Sequence, residues 1–248
     1  MSANRFLSGL PAEERARLRP YLEPVALEFN QALVEFDQPF EHVYFLETAV
    51  TATVVHTSEG DTIEVGMMGS EGFVGLSALY GVRRSNATVL VQMAGSALRM
   101  RVADFDAHVR ARGGPAYEVL LRYANFFAAA VQQHAACNAT HNIESRMSRW
   151  ILMTHDRVGD GGFPLTQEYL AVMLGVRRPT VSEIAQKMRE SGLIDYTRGS
   201  FVVTDRPRLE ERSCDCYLII REQLERTFDG ERPSEVLDFA RPTPFTPA

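Results

Sequence analysis

Hydrophobic positions along this chain change period part-way, and the change divides it. Between 23 and 102 the apolar residues alternate or gather in short β-branched runs at 43–46, 50–56, 62–66, 87–93 and 97–100, which predicts strands. Asp37-Gln38-Pro39, Ser58-Glu59-Gly60-Asp61 and Ala94-Gly95-Ser96 punctuate them with turn-forming residues. Short strands so spaced predict a sandwich or a small jelly-roll barrel. Ahead of them, 4–22 reads as an amphipathic helical region with a start at Leu10-Pro11-Ala12-Glu13-Glu14.

Beyond a helical turn at 103–108, the period becomes helical from Pro115. Tyr117, Leu121, Ala124, Ala128, Val131 and Ala135 recur in alternating steps of four and three, flanked by Leu120 and Phe127. This predicts a helix over 115–140 with a seam for a partner helix, its alanines allowing close backbone approach. Packing of the same stripe on the chain's own barrel is the other arrangement open to it. Self-association is favoured. Asn138-Ala139-Thr140 interrupts the helix, and 143–156 predicts another.

The segment 165–199 carries the most information. Thr166 is placed to cap a helix, with Gln167 and Glu168 in its first turn, where an acid suits the positive helix end. Leu170, Met173 and Leu174 mark its buried face, and Gly175 supplies the permissive backbone that ends it. Arg178 and Pro179 open a second helix over 178–191, proline being tolerated where the first N–H groups are unpaired. Val181, Ile184, Ala185 and Met188 form its buried stripe, which turns Arg178, Thr180, Ser182, Glu183 and Lys187 outwards. Strands at 194–197 and 201–204, joined at Arg198-Gly199-Ser200, complete a helix-turn-helix with a β wing. The second helix of such a unit fits the DNA major groove. A further helix is expected over 209–228, and the proline-bearing stretch 229–248 reads as an extension with little core of its own.

Composition narrows the function. The 248 residues are 45% hydrophobic and 23% charged, ordinary for a globular protein with a substantial core. The start of the chain has no signal-peptide profile and no apolar run approaches membrane-spanning length, so a cytoplasmic location is expected. The net charge of −6 runs against nucleic-acid binding, but over 142–212 eleven basic residues face ten acidic ones, so the acidity lies elsewhere. Three cysteines are too few for a disulfide scaffold. Cys214-Asp215-Cys216 would need further ligands to hold a metal and no second Cys pair exists, so two thiols packing against the wing domain is the expected arrangement, with a redox or metal role as the alternative. No nucleophile elbow, phosphate loop or paired-carboxylate motif suggests an enzyme.

The order of roll, long helix and winged helix-turn-helix resembles the Crp/Fnr family of bacterial transcription regulators. Glu41-His42-Val43-Tyr44-Phe45-Leu46, Gly69-Ser70-Glu71-Gly72-Phe73-Val74-Gly75 and 165–199 carry the likeness, which spans about Phe6 to Phe228. It implies an α+β chain: a jelly-roll effector-sensing domain over 1–114, a dimerisation helix over 115–140 and a winged helix-turn-helix over 141–228. It also implies a homodimer on a palindromic promoter site, in contact with RNA polymerase. Arg178 matches the family's base-reading arginine, Pro179 stands where members often have an acid, and Glu183 where the best-known member has a second arginine. The DNA-contacting set implied is Thr166, Gln167, Arg177, Arg178, Pro179, Thr180, Ser182, Glu183, Lys187 and, at the wing, Arg198.

The effector set departs from the cyclic-nucleotide pattern. Val74-Gly75-Leu76-Ser77 puts leucine where a glutamate holds the ribose, while Arg84-Ser85-Asn86-Ala87 keeps an arginine and a hydroxyl. Cyclic AMP in its usual pose is therefore not expected. Gly75, Leu76, Arg83, Arg84, Ser85, Asn86 and Gln132 form the implied effector site, with Arg83 and Arg84 either meeting an anion or sitting solvated on a hairpin tip. No cysteine precedes Cys137, which argues against an iron–sulfur cluster, and no histidine is singled out for haem, so no cofactor is expected. A ligand-binding roll whose winged helix serves protein interaction is the alternative function.

Overall fold

The computed structural model describes residues 2–60, 62–197 and 199–229. Two four-stranded antiparallel sheets face each other across the apolar residues of the first hundred positions. One has the order β1(Glu23–Leu27), β8(Gly95–Arg101), β3(His42–Leu46), β6(Phe73–Val74). The other has the order β2(Ala32–Val34), β7(Thr88–Met93), β4(Val50–His56), β5(Thr62–Met68). Val43, Phe45, Ala52, Val54 and Val91 are completely buried between them, which is what the alternating strands require. Phe73 bridges the stack between Phe45 and Phe105. Two short helices, α1(Arg5–Gly9) and α2(Ala12–Leu18), close one end. The buried Asn4 ties them down: its Nδ2 donates to the carbonyls of Leu46 and Gly72 at 2.8 and 2.9 Å, while its Oδ1 accepts from the Leu7 N–H at 3.2 Å.

A short helix α3(Leu76–Leu79) follows β6, and α4(Val102–Phe105) follows β8. Gly75 begins α3 at φ +108°, where a Cβ would also stand 2.7 Å from Val43 Cγ1, so position 75 requires glycine on two counts. The long helix α5(Pro115–Thr140) then lies against the roll. Leu120, Tyr123, Ala124, Phe126, Ala130, His134 and Cys137 face the protein, while Leu121, Asn125, Ala128, Gln132 and Ala135 face out. The expected seam is thus split between two faces. Ala124 packs inward, the Tyr117 hydroxyl donates to the Leu79 carbonyl, and Phe127 presses its ring on Gly66 of β5.

Asn142 caps α6(Ile143–Val158) by accepting from the Ser145 N–H at 2.9 Å. This helix is buried along most of its length, because it runs against the roll as well as against the remainder of the C-terminal half. There α7(Gln167–Leu174) and α8(Arg178–Glu190) are followed by β10(Ile194–Thr197) and β11(Ser200–Val203). A two-residue strand, β9(Phe163–Pro164), joins the wing as a third member beside β11, which the sequence reading missed. The helix expected over 209–228 is two helices, α9(Arg206–Arg212) and α10(Cys216–Asp229). The break falls where Ser213 adopts extended backbone (φ −72°, ψ 160°) and redirects the chain, so that α10 packs along α5. Arg198 and 230–248, the latter most of the expected extension, lie outside the described residues. Among those described, no helix is long and apolar enough to cross a membrane.

Candidate nucleic-acid interface

The helix-turn-helix is assembled by local rules. Thr166 Oγ1 accepts from the Tyr169 N–H at 3.1 Å and starts α7. Gly175 ends it in the left-handed region at φ +64°. Two residues later Arg177 is the extended N-cap residue of α8, with Pro179 in the first turn. Val181, Ala185 and Met188 then sink into the core and fix which way the helix faces.

The outward face carries the residues anticipated. Arg177, Arg178, Pro179, Glu183 and Lys187 are exposed; Thr180 and Ser182 are partly covered. Several are engaged within the chain. Ser182 Oγ donates to Gln167 Oε1 at 2.6 Å, tying the two helices together. Lys187 Nζ meets Glu183 at 2.7 Å, one turn away, and Arg178 Nε lies 3.5 Å from Glu168. All four charged groups are more than half exposed, so water screens these pairs and they yield readily to a phosphate or a base edge.

The expected effector residues are only partly brought together. Gly75, Leu76, Ser85 and Asn86 line one cavity with Phe40, Thr53, Met68, Phe73 and Phe127, but its volume is about 50 Å³. Arg83 and Arg84 do not line it. Arg83 is paired with Asp106, and Arg84 donates to the Asp37 carbonyl with that residue's carboxylate 3.7 Å away. Gln132 is exposed on α5, away from the cavity.

Sequence reasoning missed the groups that join the helix-turn-helix to the roll. Arg157 of α6 donates from Nε and Nη2 to Glu71 Oε1 at 2.8 and 2.6 Å, both side chains being almost wholly buried. Trp150 Nε1 donates to the fully buried Glu64 at 2.9 Å, and burial pushes the Glu64 carboxyl up to about 7. Phe29 meets Tyr169 with ring centroids 5.6 Å apart, and Ile63 lies beside Gly175. Glu71 stands within the glycine-bearing stretch 69–75, but no sequence signal pairs it with a residue 86 positions away. One further expectation is corrected. Cys214 and Cys216 pack at the end of α5 rather than on the wing, because the bend at Ser213 carries them to Cys137 and His141, the additional metal-capable ligands thought lacking.

Residues 145–212 match the family model of the Crp-like helix-turn-helix domain. No curated protein sequence matches the chain closely enough to count as a relative. Among solved structures, a CRP/FNR-family transcriptional regulator from Thermus thermophilus superposes with a TM-score of 0.61 at 17% identity, over 77% of this chain and 98% of that one. FixK2 from Bradyrhizobium japonicum gives 0.59 at 16% identity, over 78% and 98%. The c-di-GMP-responsive global regulator CLP of Xanthomonas campestris gives 0.57 at 14%, over 79% and 100%. The chain therefore carries a Crp-like helix-turn-helix domain on the fold of the Crp/Fnr transcription regulators.

Proposed function

We propose that this chain is a cytoplasmic, homodimeric, sequence-specific transcription regulator that lays α8 in the major groove of a palindromic promoter site. The observation that carries this is the outward face of α8. It begins with Arg177, Arg178 and Thr180 directly after the Gly175 turn, while its opposite face is locked into the core. Arg178 is proposed to read guanine through O6 and N7, with Thr180 and Ser182 at neighbouring edges and Lys187 and Thr166 on phosphates. Pro179 and Glu183 depart from the familiar base-reading set, so the preferred site differs from the one best known in the family. Residues 1–114 act as the sensing domain, 115–140 as the pairing helix and 141–228 as the DNA-binding head, with RNA polymerase as the onward partner.

The outward stripe Leu121, Asn125, Ala128, Gln132 and Ala135 repeats in steps of four and three, the spacing by which two helices pair. It replaces the seam read from the sequence as the surface for a second copy. The 50 Å³ cavity among Gly75, Leu76, Ser85 and Asn86 is far below the several hundred Å³ of a nucleotide-sized site. This supports a regulator that does not take cyclic AMP in the usual way.

The test is selection of bound duplexes from a random pool. Wild-type protein enriches a palindrome. Arg178→Ala relaxes one base position at a cost of about 1–3 kcal/mol, while Lys187→Ala weakens all sequences alike and lowers the salt slope by about one. Unchanged titrations for both variants would remove α8 as the reading surface. The pairing of Arg178 and Lys187 with Glu168 and Glu183 favours a second reading, a winged helix that docks a protein. No duplex binding even at low salt would select it.

A further inference from the structure

Three elements far apart in sequence bring sulfur and nitrogen ligands to one point. Cys137 and His141 lie one turn apart at the end of α5, on the same face of the helix. The bend after α9 delivers Cys214, and Cys216 opens α10. The ligand atoms of all four lie within 4.8 Å of one another. Cys137 Sγ is 3.5 Å from Cys214 Sγ, and Cys216 Sγ is 3.5 Å from His141 Nδ1. Four ligands arranged tetrahedrally about 2.0–2.3 Å from one ion stand about 3.5–3.8 Å apart, so the two 3.5 Å separations are those of a mononuclear site and the others, none above 4.8 Å, need to close by about 1 Å at most. A disulfide needs sulfurs about 2.05 Å apart, and the three cysteines are free.

The surroundings supply what a metal site needs outside its ligands. Gln133 Nε2 donates to Cys216 Sγ at 3.1 Å, an N–H bond that steadies a thiolate. His141 turns Nδ1 to the sulfurs and Nε2 towards Asp215 at 3.6 Å, the arrangement in which a carboxylate orients a ligating imidazole. The buried Arg149 guanidinium lies against Cys137, and among the described residues it forms no ion pair with a carboxylate, the Glu64 charge acting on it only at longer range. Its Nη1 reaches only the Met153 sulfur at 3.3 Å, and its Nε has no hydrogen-bond partner among the described residues. An arginine cannot shed its proton, so that charge needs an anion. Three thiolates around a divalent ion carry one net negative charge, which matches it.

We propose that Cys137, His141, Cys214 and Cys216 form a structural zinc site that fastens α10 to the end of α5. The set of three thiolates and one imidazole is closed, without an open position for catalysis, and suits zinc over the oxygen-seeking cations. The ion fixes the C-terminal helix at the bend between α5 and α6. This assignment does not depend on the protein's binding DNA.

The full chain is produced with zinc in the medium, purified with reductant and without chelator, and its metal content measured by mass spectrometry. About one zinc per chain is expected. Cobalt exchanged into the site should give thiolate charge-transfer bands and the intense visible bands of a tetrahedral ion. Cys137→Ser, Cys214→Ser and Cys216→Ser should each abolish stoichiometric zinc. His141→Cys should keep it as a four-thiolate site, which separates ligation from mere folding. Asp215→Asn should weaken zinc affinity about 10–100-fold, and removing zinc from the wild type should lower Tm by about 5 °C or more. Metal-free wild type, zinc retained by the cysteine variants, or a Cys137–Cys214 disulfide in its place would overturn the assignment.

Discussion

Glu64 is the residue at which the packing of α6 on the roll becomes sensitive to protons. Its carboxyl is fully buried, and burial raises it to about 7 against the opposing effects of the Trp150 hydrogen bond and the charges of Arg149 and Arg157. Tyr169 faces the same spot, its phenol also pushed up, mainly by burial. The native protein thus holds a proton that the unfolded chain gives up near 4.5. The stability from this group is complete below about pH 4.5 and is lost as pH rises through about 7, a change on the order of 3 kcal/mol. His134, held down to about 3 by burial, acts with the opposite sign, removing stability as pH falls below 6.5. The difference in Tm between wild type and Glu64→Gln isolates the carboxyl. That difference should move against the wild type between about pH 4.5 and pH 7 and level off above, and a constant difference would show that Glu64 does not titrate there.

At the level of elements, the two helices around Gly175 were legible because each of their signals is local. Thr166, Gly175 and Pro179 act on backbone groups within a few residues, so their consequences do not depend on the rest of the chain. Replacing Gly175 by alanine should cost about 1 kcal/mol, since φ is +64° there while the added Cβ would meet only Ile63 at ordinary contact distance. Thermal melting should show Tm lowered by about 2–4 °C, and an unchanged Tm would mean that the turn relaxes. The strands were legible for the same reason, through alternation. What was not legible depends on distant partners. Which face of α5 is core is decided by Gly66 accepting the Phe127 ring and by α10 lying alongside. The break at Ser213 has no glycine or proline to announce it. Cys137 and Cys214 are 77 positions apart, so no spacing rule connects them. Of the anticipated effector residues, Arg83 and Arg84 found carboxylates on the surface instead of a cavity.

For the whole molecule, the proposed reading requires two copies, because heads on a palindrome must reach half-sites about 34 Å apart. Ala128 lies at the middle of the outward stripe of α5 and is exposed. Ala128→Arg should therefore leave the circular dichroism unchanged, give a monomer by light scattering, and lose the preference for palindromic over single half-sites. A dimer of unaltered mass would place the pairing elsewhere. A last consequence follows from the pair formed by Arg157 and Glu71, both nearly free of solvent. Separating them strands two charges in a poorly polarisable setting until water arrives, so the early part of the motion is penalised and the later part is not. A contact of this kind has little compliance. It resists small perturbations and then gives way as a unit, and any signal that swings the helix-turn-helix half away from the roll must exceed a threshold rather than act in proportion to its strength.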